Sequence, residues 1–172
     1  MIKRIALVGS SSTGKTTVYE LLKNKLPKYE FINESTRTVM RYGYPINEEG
    51  TDETQLAILA FHLKALLKPF NLVLDRCMLD TLVYSLITDV ETKTLNYVKD
   101  CFEEVKDEYT HLVYFPIEFP SVDDGERSTS EEWRKLADDT FRELLTEYYG
   151  DRFLTVSGSP MQRVNQILEY IR

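Results

Sequence analysis

The 172 residues include 21 Lys and Arg against 28 Asp and Glu, a net charge of −7, with 42% hydrophobic residues and two cysteines. That balance suits one folded unit, residues 1–172, large enough to bury a core without disulfides or metals, and it argues against a protein whose main task is to hold a polyanion. No apolar run is long enough to span a membrane, and Met1-Ile2-Lys3-Arg4 leads straight into a strand pattern with no room for a targeting peptide. Cys77 and Cys101 lack metal-ligand spacing, so a reduced cytoplasm and two core thiols are expected.

Ile5-Ala6-Leu7-Val8 is a short apolar strand, and it runs into Gly9-Ser10-Ser11-Ser12-Thr13-Gly14-Lys15-Thr16. This stretch fits the phosphate-binding loop G-x-x-x-x-G-K-[ST] without a mismatch, and the helical pattern from Thr16 to Leu22 supplies the context that the motif needs. Small residues let successive backbone N–H groups converge on phosphate oxygens at a helix N-terminus. Gly9, Ser11, Ser12, Thr13, Gly14, Lys15, Thr16 and Thr17 are therefore the expected nucleotide-binding set, with Lys15 on the β- and γ-phosphates and Thr16 on Mg²⁺. The bland alternative is a Gly/Ser turn between strand and helix.

Leu26-Pro27 ends the first helix, and Tyr29 to Asn33 reads as a second strand with Glu34 at its C-terminal edge, where ligands of open α/β sheets bind. Glu34 to Arg41 reads as a helix that puts Arg37 and Arg41 on one face; plain solvation is the competing explanation for both. Thr51 opens a helix whose periodic apolar residues are Leu56, Ile58, Leu59, Leu63, Leu66 and Leu67. His62 within it, like His111, is expected to be a packed or partly exposed residue and not a ligand.

Phe70 to Asp75 is a third strand ending in an acid, as the Mg²⁺-proximal acid of a phosphate-loop protein does, with Arg76 and Asp80 just beyond. Leu79 to Ile87 and Thr92 to Val105 read as helices, and His111 to Phe115 as a fourth strand stopping at Pro116. The polar stretch that follows is too long for a plain turn, and a lid over about 116–135 carrying Arg127 is expected. Glu131 to Tyr149 is a long helix with Trp133, Leu136, Phe141, Leu144 and Leu145 on its core face. Phe153 to Val156 is a fifth strand, Ser157-Gly158-Ser159-Pro160 a turn, and Arg163 to Arg172 a closing helix. Five strands alternating with helices imply an α/β fold, a parallel sheet covered on both faces.

A phosphate loop, Glu34, Asp75-Arg76 and Arg127 are expected at one sheet edge, which is the equipment of phosphoryl transfer: donors for a nucleotide, acids for Mg²⁺ and for a proton, and cations for developing charge. A GTPase fits poorly, because no Asp-x-x-Gly follows the third strand and no Asn-Lys-x-Asp the fourth, and large ring ATPases need a longer chain.

These residues resemble the small phosphate-loop kinases similar to the ribosylnicotinamide kinase domain of NadR-type proteins. The resemblance covers most of the chain and rests on Gly9 to Thr17, Asn33-Glu34 with Arg37, Asp75-Arg76 with Asp80, Asp124-Gly125-Glu126-Arg127-Ser128, and Ser157-Gly158-Ser159. After the third strand, Asp75-Arg76-Cys77-Met78-Leu79-Asp80 looks more like the acidic-Arg motif of deoxynucleoside and thymidylate kinases. The resemblance implies a five-stranded phosphate-loop kinase fold, ATP as donor and a nucleoside or nucleotide as acceptor. It further implies Ser157 and Gly158 beside adenine, Glu34 as the base at the acceptor hydroxyl, Arg76 and Asp80 as acceptor contacts, Arg127 as the lid arginine, and Asp75 at the metal. Arg37, Arg41 or Arg76 would serve the phosphate of a monophosphate acceptor. A kinase acting on nucleic acid, at a modified base or a 5′ end, and a nucleotide-gated binding module stay open as alternatives, as does a homodimer.

Overall fold

The computed structural model describes residues 2–33, 35–121 and 130–172; Met1, Glu34 and 122–129 lie outside the described residues. The expectations for Glu34, for Arg127 and for the middle of the 116–135 segment fall on residues outside that range.

Alternating strands and helices appear in the expected order. They are β1 (Arg4–Val8), α1 (Lys15–Lys25), β2 (Glu30–Ile32), α2 (Thr36–Arg41), α3 (Asp52–Leu66), β3 (Leu72–Asp75), α4 (Met78–Ile87), α5 (Thr92–Val105), β4 (His111–Tyr114), α6 (Glu131–Tyr149), β5 (Phe153–Thr155) and α7 (Pro160–Tyr170). All strand pairs are parallel, in the order β2-β3-β1-β4-β5. The central strand β1 lies between β3, where Leu7 faces Asp75, and β4, where Val8 faces Tyr114. The loops leaving β1 and β3 therefore open side by side at the C-terminal edge of the sheet, the place where such sheets bind ligands.

Strand periodicity divides the core in two. Ile5 and Leu7, with Val73 and Val113, pack under α1 and α7 against Val18, Leu22, Val164 and Ile167. Ala6 and Val8, with Leu72, Leu74 and Leu112, face the other way onto Leu59, Leu79, Leu82, Val98, Phe102, Phe141 and Leu145. Both faces of the sheet are thus dry, which is why its central strands read as unbroken apolar runs.

Helix boundaries follow local chemistry. Thr51 and Ser130 cap α3 and α6 by accepting from the N–H of Thr54 and Trp133. Pro160 opens α7 behind a capping box of Ser159 and Gln162, so that helix begins before the expected Arg163.

In α3 and α6 most of the expected apolar residues are buried or packed against the core, but each helix leaves at least one leucine of that set outside and buries polar groups beside the rest. In α3, Leu56 and Leu67 are exposed, and Thr54, Gln55 and His62 are buried beside Ile58 and Leu59. In α6, Leu136 is 48% exposed, whereas Arg134 and Asp138 are buried with Ala137 and Phe141. The inward polar groups of α3 line the cavity beside the sheet, and those of α6 are bonded to the phosphate loop and to Tyr114. Of the two cysteines, Cys77 is buried, as expected of a core thiol, and Cys101 is only partly so.

Candidate functional site

The phosphate loop leaves β1 through Gly9, whose φ of +134° belongs to the region that favours glycine. Ser12 has φ +53° and Gly14 φ +85°, and the latter hands the chain to α1. Lys15 is buried and curls over the loop: its Nζ donates to Gly9 O at 2.7 Å and to Thr13 Oγ1 at 3.1 Å, and Thr13 Oγ1 in turn donates to Ser10 O at 3.1 Å. Ser12 to Thr17, with Asp75 and Arg76, enclose a pocket of about 340 Å³.

The β3 exit supplies the next groups. Asp75 ends the strand and is 5% exposed. Arg76 has φ +78°, an arrangement strained for a non-glycine residue and held by Arg76 N donating to Leu7 O at 3.1 Å. Its Nη1 donates to Asp80 Oδ1 at 3.0 Å, and its guanidinium lies 5.5 Å from the Tyr84 ring centroid. Asp80 also accepts from Cys77 N at 2.9 Å, within the capping box that starts α4. Burial pushes the Asp80 carboxyl up to about 6, against the opposing pull of Arg76 and Lys15. Burial likewise raises the Cys77 thiol, which makes it an inert neighbour.

Two larger spaces adjoin the phosphate pocket. A groove of about 740 Å³ is lined by Thr16, Asn33, Arg37, Thr38, Arg41 and Asp75. On the other side, about 750 Å³ of solvent-connected space lies among Ser11, Arg37, Gln55, Ile58, His62, Arg76, Asp80, Thr81, Tyr84 and Trp133. Asp75 and Thr16 border the phosphate pocket and the groove, Arg76 borders the pocket and the cavity walled by Tyr84 and Trp133, and Arg37 borders groove and cavity. The three spaces meet at those side chains.

Of the sequence-predicted residues, Lys15, Thr16, Arg37, Asp75, Arg76 and Asp80 are brought together here. Ser157 and Gly158 line none of the three spaces; they are exposed on the outer flank of the phosphate loop, joined to it through Arg163. Arg163 donates from Nε to Gly158 O at 2.9 Å and from Nη1 to Thr13 O at 2.6 Å. Ser11, expected among the nucleotide-binding residues, lines the cavity walled by Tyr84 and Trp133 and not the phosphate pocket. His62 is buried within its helix and lines the cavity wall, while His111 is at the N-terminal end of β4, away from the site, with burial and Lys3 holding its imidazole low.

Sequence reasoning missed Gln55, Thr81, Tyr84, Arg134 and Arg163, and read Trp133 as core. Motif spacing does not mark them. A signal was present in α3, where Ile58, Leu59 and His62 follow Gln55 at helical spacings of three, four and seven residues along one stripe. Gln55 Oε1 and Thr81 Oγ1 are buried with no hydrogen-bond partner among the described residues, which is unusual for buried polar atoms in a folded core.

For Mg²⁺, the fit is that of a hydroxyl and a carboxylate, Thr16 and Asp75, bordering one groove beside the phosphate pocket. Mg²⁺ takes oxygen ligands and keeps waters and phosphates, so no larger protein cluster is needed; none of three or more acids, histidines or cysteines occurs among the described residues.

Residues 4–163 match the model of a family described as AAA domain. The chain belongs to that family. Among solved structures, the fold is similar to a NadR protein in complex with NR, at 19% identity and TM-score 0.81 over 98% of this chain and 51% of that one. It is similar to deoxyadenosine kinase from M. mycoides, at 19% identity and TM-score 0.72 over 98% and 97% of the two chains. Thymidylate kinase from Candida albicans follows at 15% identity and TM-score 0.69, over 99% and 91%. The chain spans about half the length of the NadR protein it matches. None of the curated proteins matches in sequence. The expected phosphate-loop fold, a five-stranded parallel sheet with helices on both faces, is the fold of these neighbours.

Proposed function

We propose that this chain is an ATP- and Mg²⁺-dependent kinase that passes the γ-phosphate to a nucleoside or nucleotide, working as a single domain in the cytoplasm. The observation that carries the reading is the joint between the phosphate pocket and the large cavity at Arg76. That cavity offers aromatic faces from Tyr84 and Trp133 beside Gln55 Oε1, which has no hydrogen-bond partner among the described residues, the mix of apolar walls and a few placed polar groups that small-molecule sites use. A flat heterocycle with an N–H donor matches that lining.

In this reading Gly9 to Thr17 receive the donor phosphates, Lys15 lies at the β- and γ-phosphates, and Ser157 and Gly158 flank adenine. Thr16 and Asp75 would hold Mg²⁺, which when bound neutralises phosphate charge and helps align the in-line transfer. Arg37, Arg76 and Asp80 hold the acceptor. Glu34 takes the proton of an acceptor hydroxyl, and Arg127, on a lid over about 116–135, meets the charge of the transition state; both roles come from sequence resemblance. Bond making joins an acceptor oxygen to the γ-phosphorus as the bridging oxygen leaves with ADP.

Lys15→Ala should lower phosphotransfer by ~10³ or more while the circular dichroism spectrum is retained. The decisive assay measures ATP consumption with Mg²⁺ across nucleosides, nucleoside monophosphates, ribosylnicotinamide and oligonucleotide ends. A purified protein that binds no nucleotide in calorimetry would sink the reading. Transfer confined to oligonucleotides would favour the nucleic-acid kinase, and ATP-dependent partner binding without any transfer would favour the binding module.

A further inference from the structure

The phosphate loop is gripped from outside by two arginines that the proposed chemistry does not use. Arg134 of α6 is 1% exposed. Its Nε donates to Ser11 O at 3.0 Å, its Nη2 to Ser12 O at 3.2 Å and to Phe119 O at 2.8 Å, and its Nη1 pairs with Glu131 at 3.2 Å. Arg163 of α7 is equally buried. Besides Thr13 O and Gly158 O, it binds Glu118 Oε2 at 2.8 Å, and it lies between the rings of Phe115 and Phe119, 5.6 and 5.0 Å from their centroids. The same Glu118 oxygen accepts from Gly158 N at 3.1 Å.

Three consecutive loop carbonyls, those of Ser11, Ser12 and Thr13, are thereby tied to guanidinium groups more than a hundred residues away in sequence. A trans peptide is planar, with its C=O and the following N–H pointing in opposite directions. Holding those carbonyls outward turns the N–H groups of Ser12, Thr13 and Gly14 the other way, and these residues line the phosphate pocket. Arginine suits this task because its rigid fork reaches several acceptors at fixed angles, which the single ammonium of lysine does not.

We propose that Arg134 and Arg163 are positioning residues that set the phosphate loop in its anion-receiving shape before nucleotide arrives. The ordering of the loop is then achieved on folding and subtracts nothing from binding. Arg163 does a second thing: by bonding Gly158 and Thr13 at once, it makes the turn proposed to flank adenine and the phosphate loop one rigid body. The inference rests on the phosphate-binding part of the proposed function and not on the identity of the acceptor.

The test is calorimetric binding of inorganic pyrophosphate and of Mg-ADP to the full chain and to Arg134→Lys, Arg163→Lys, Arg134→Ala and Arg163→Ala, with thermal melting alongside. The lysine variants are expected to stay folded and to lose about tenfold or more in pyrophosphate affinity. The alanine variants are expected to recover affinity when millimolar guanidinium is added, at a level to which the wild type does not respond. Lysine variants that bind pyrophosphate within about twofold of the wild type overturn the proposal. So does an alanine variant whose lost affinity tracks a lowered Tm and ignores guanidinium; where alanine prevents folding, the lysine variants decide. A wild type that binds neither ligand overturns this inference and the kinase reading together, whereas one that binds both and phosphorylates no acceptor overturns only the kinase reading.

Discussion

A β-carbon at Gly9 would lie 2.5 Å from the Phe115 carbonyl oxygen, a backbone atom that cannot swing aside. Added to the φ of +134°, this makes the first loop glycine a requirement of packing as much as of phosphate binding. Gly9→Ala is expected to lower the unfolding free energy by about 3 kcal/mol or more, read from urea titration, because close-packed backbone and an unsuitable φ act together. Asp80 offers a different residue-scale test. Its carboxyl is raised from an ordinary 3.8 to about 6 in the folded protein, so between those values the native state holds a proton that the unfolded chain has released. Its contribution to stability is therefore full below about 3.8 and is lost as pH rises through about 6. Function is expected to run the opposite way, since the Arg76 ion pair needs the carboxylate. In the wild type kcat should fall as pH drops below about 6, and Asp80→Asn should remove that limb while lowering activity throughout.

At the scale of elements, α6 carries most of what apolar spacing alone gets wrong. Its buried stripe runs through Arg134, Ala137, Asp138, Phe141, Leu144 and Leu145, and Asp138 is kept there by accepting from Tyr114 Oη at 2.7 Å and pairing with Arg142 at 3.1 Å. A helix whose inward polar groups are all bonded is rotated by them, and Leu136 is left outside. Leu136→Gln should then change stability by no more than about 0.5 kcal/mol, whereas Phe141→Ala should cost about 3–5 kcal/mol in the same denaturation assay. Equal losses at both positions would mean that the expected face, with Leu136 inside, is the buried one. In α3 the buried Gln55 and His62 likewise line the cavity, and hydrophobic patterning is blind to polar residues that are buried.

At the scale of the whole molecule, an acidic chain places only a few of its 21 Lys and Arg at the site among the described residues: Lys15, Arg37, Arg41 and Arg76 around the meeting cavities, and Arg134 and Arg163 behind the loop. Turnover of a mononucleoside or mononucleotide should therefore change little between ~50 and ~200 mM salt, where several phosphate contacts to a nucleic acid would lose affinity steeply. A steep salt slope in KM would move the reading to a nucleic-acid acceptor. Among the described residues no helix is long and apolar enough to cross a membrane. The sequence by itself determined the strand and helix order, the phosphate loop and the acid ending β3, because backbone preferences, periodicity and a contiguous motif are local properties. It also placed Arg37, Arg76 and Asp80, which follow strand ends and so inherit their position from the sheet. The cavity walled by Tyr84 and Trp133 and the two arginines behind the loop were decided by tertiary structure alone. Gln55, Tyr84 and Trp133 come from α3, α4 and α6 and meet in one cavity only through the packing of those helices, while Arg134 of α6 and Arg163 of α7 reach the carbonyls of the phosphate loop. No spacing along the chain encodes a meeting of side chains that far apart.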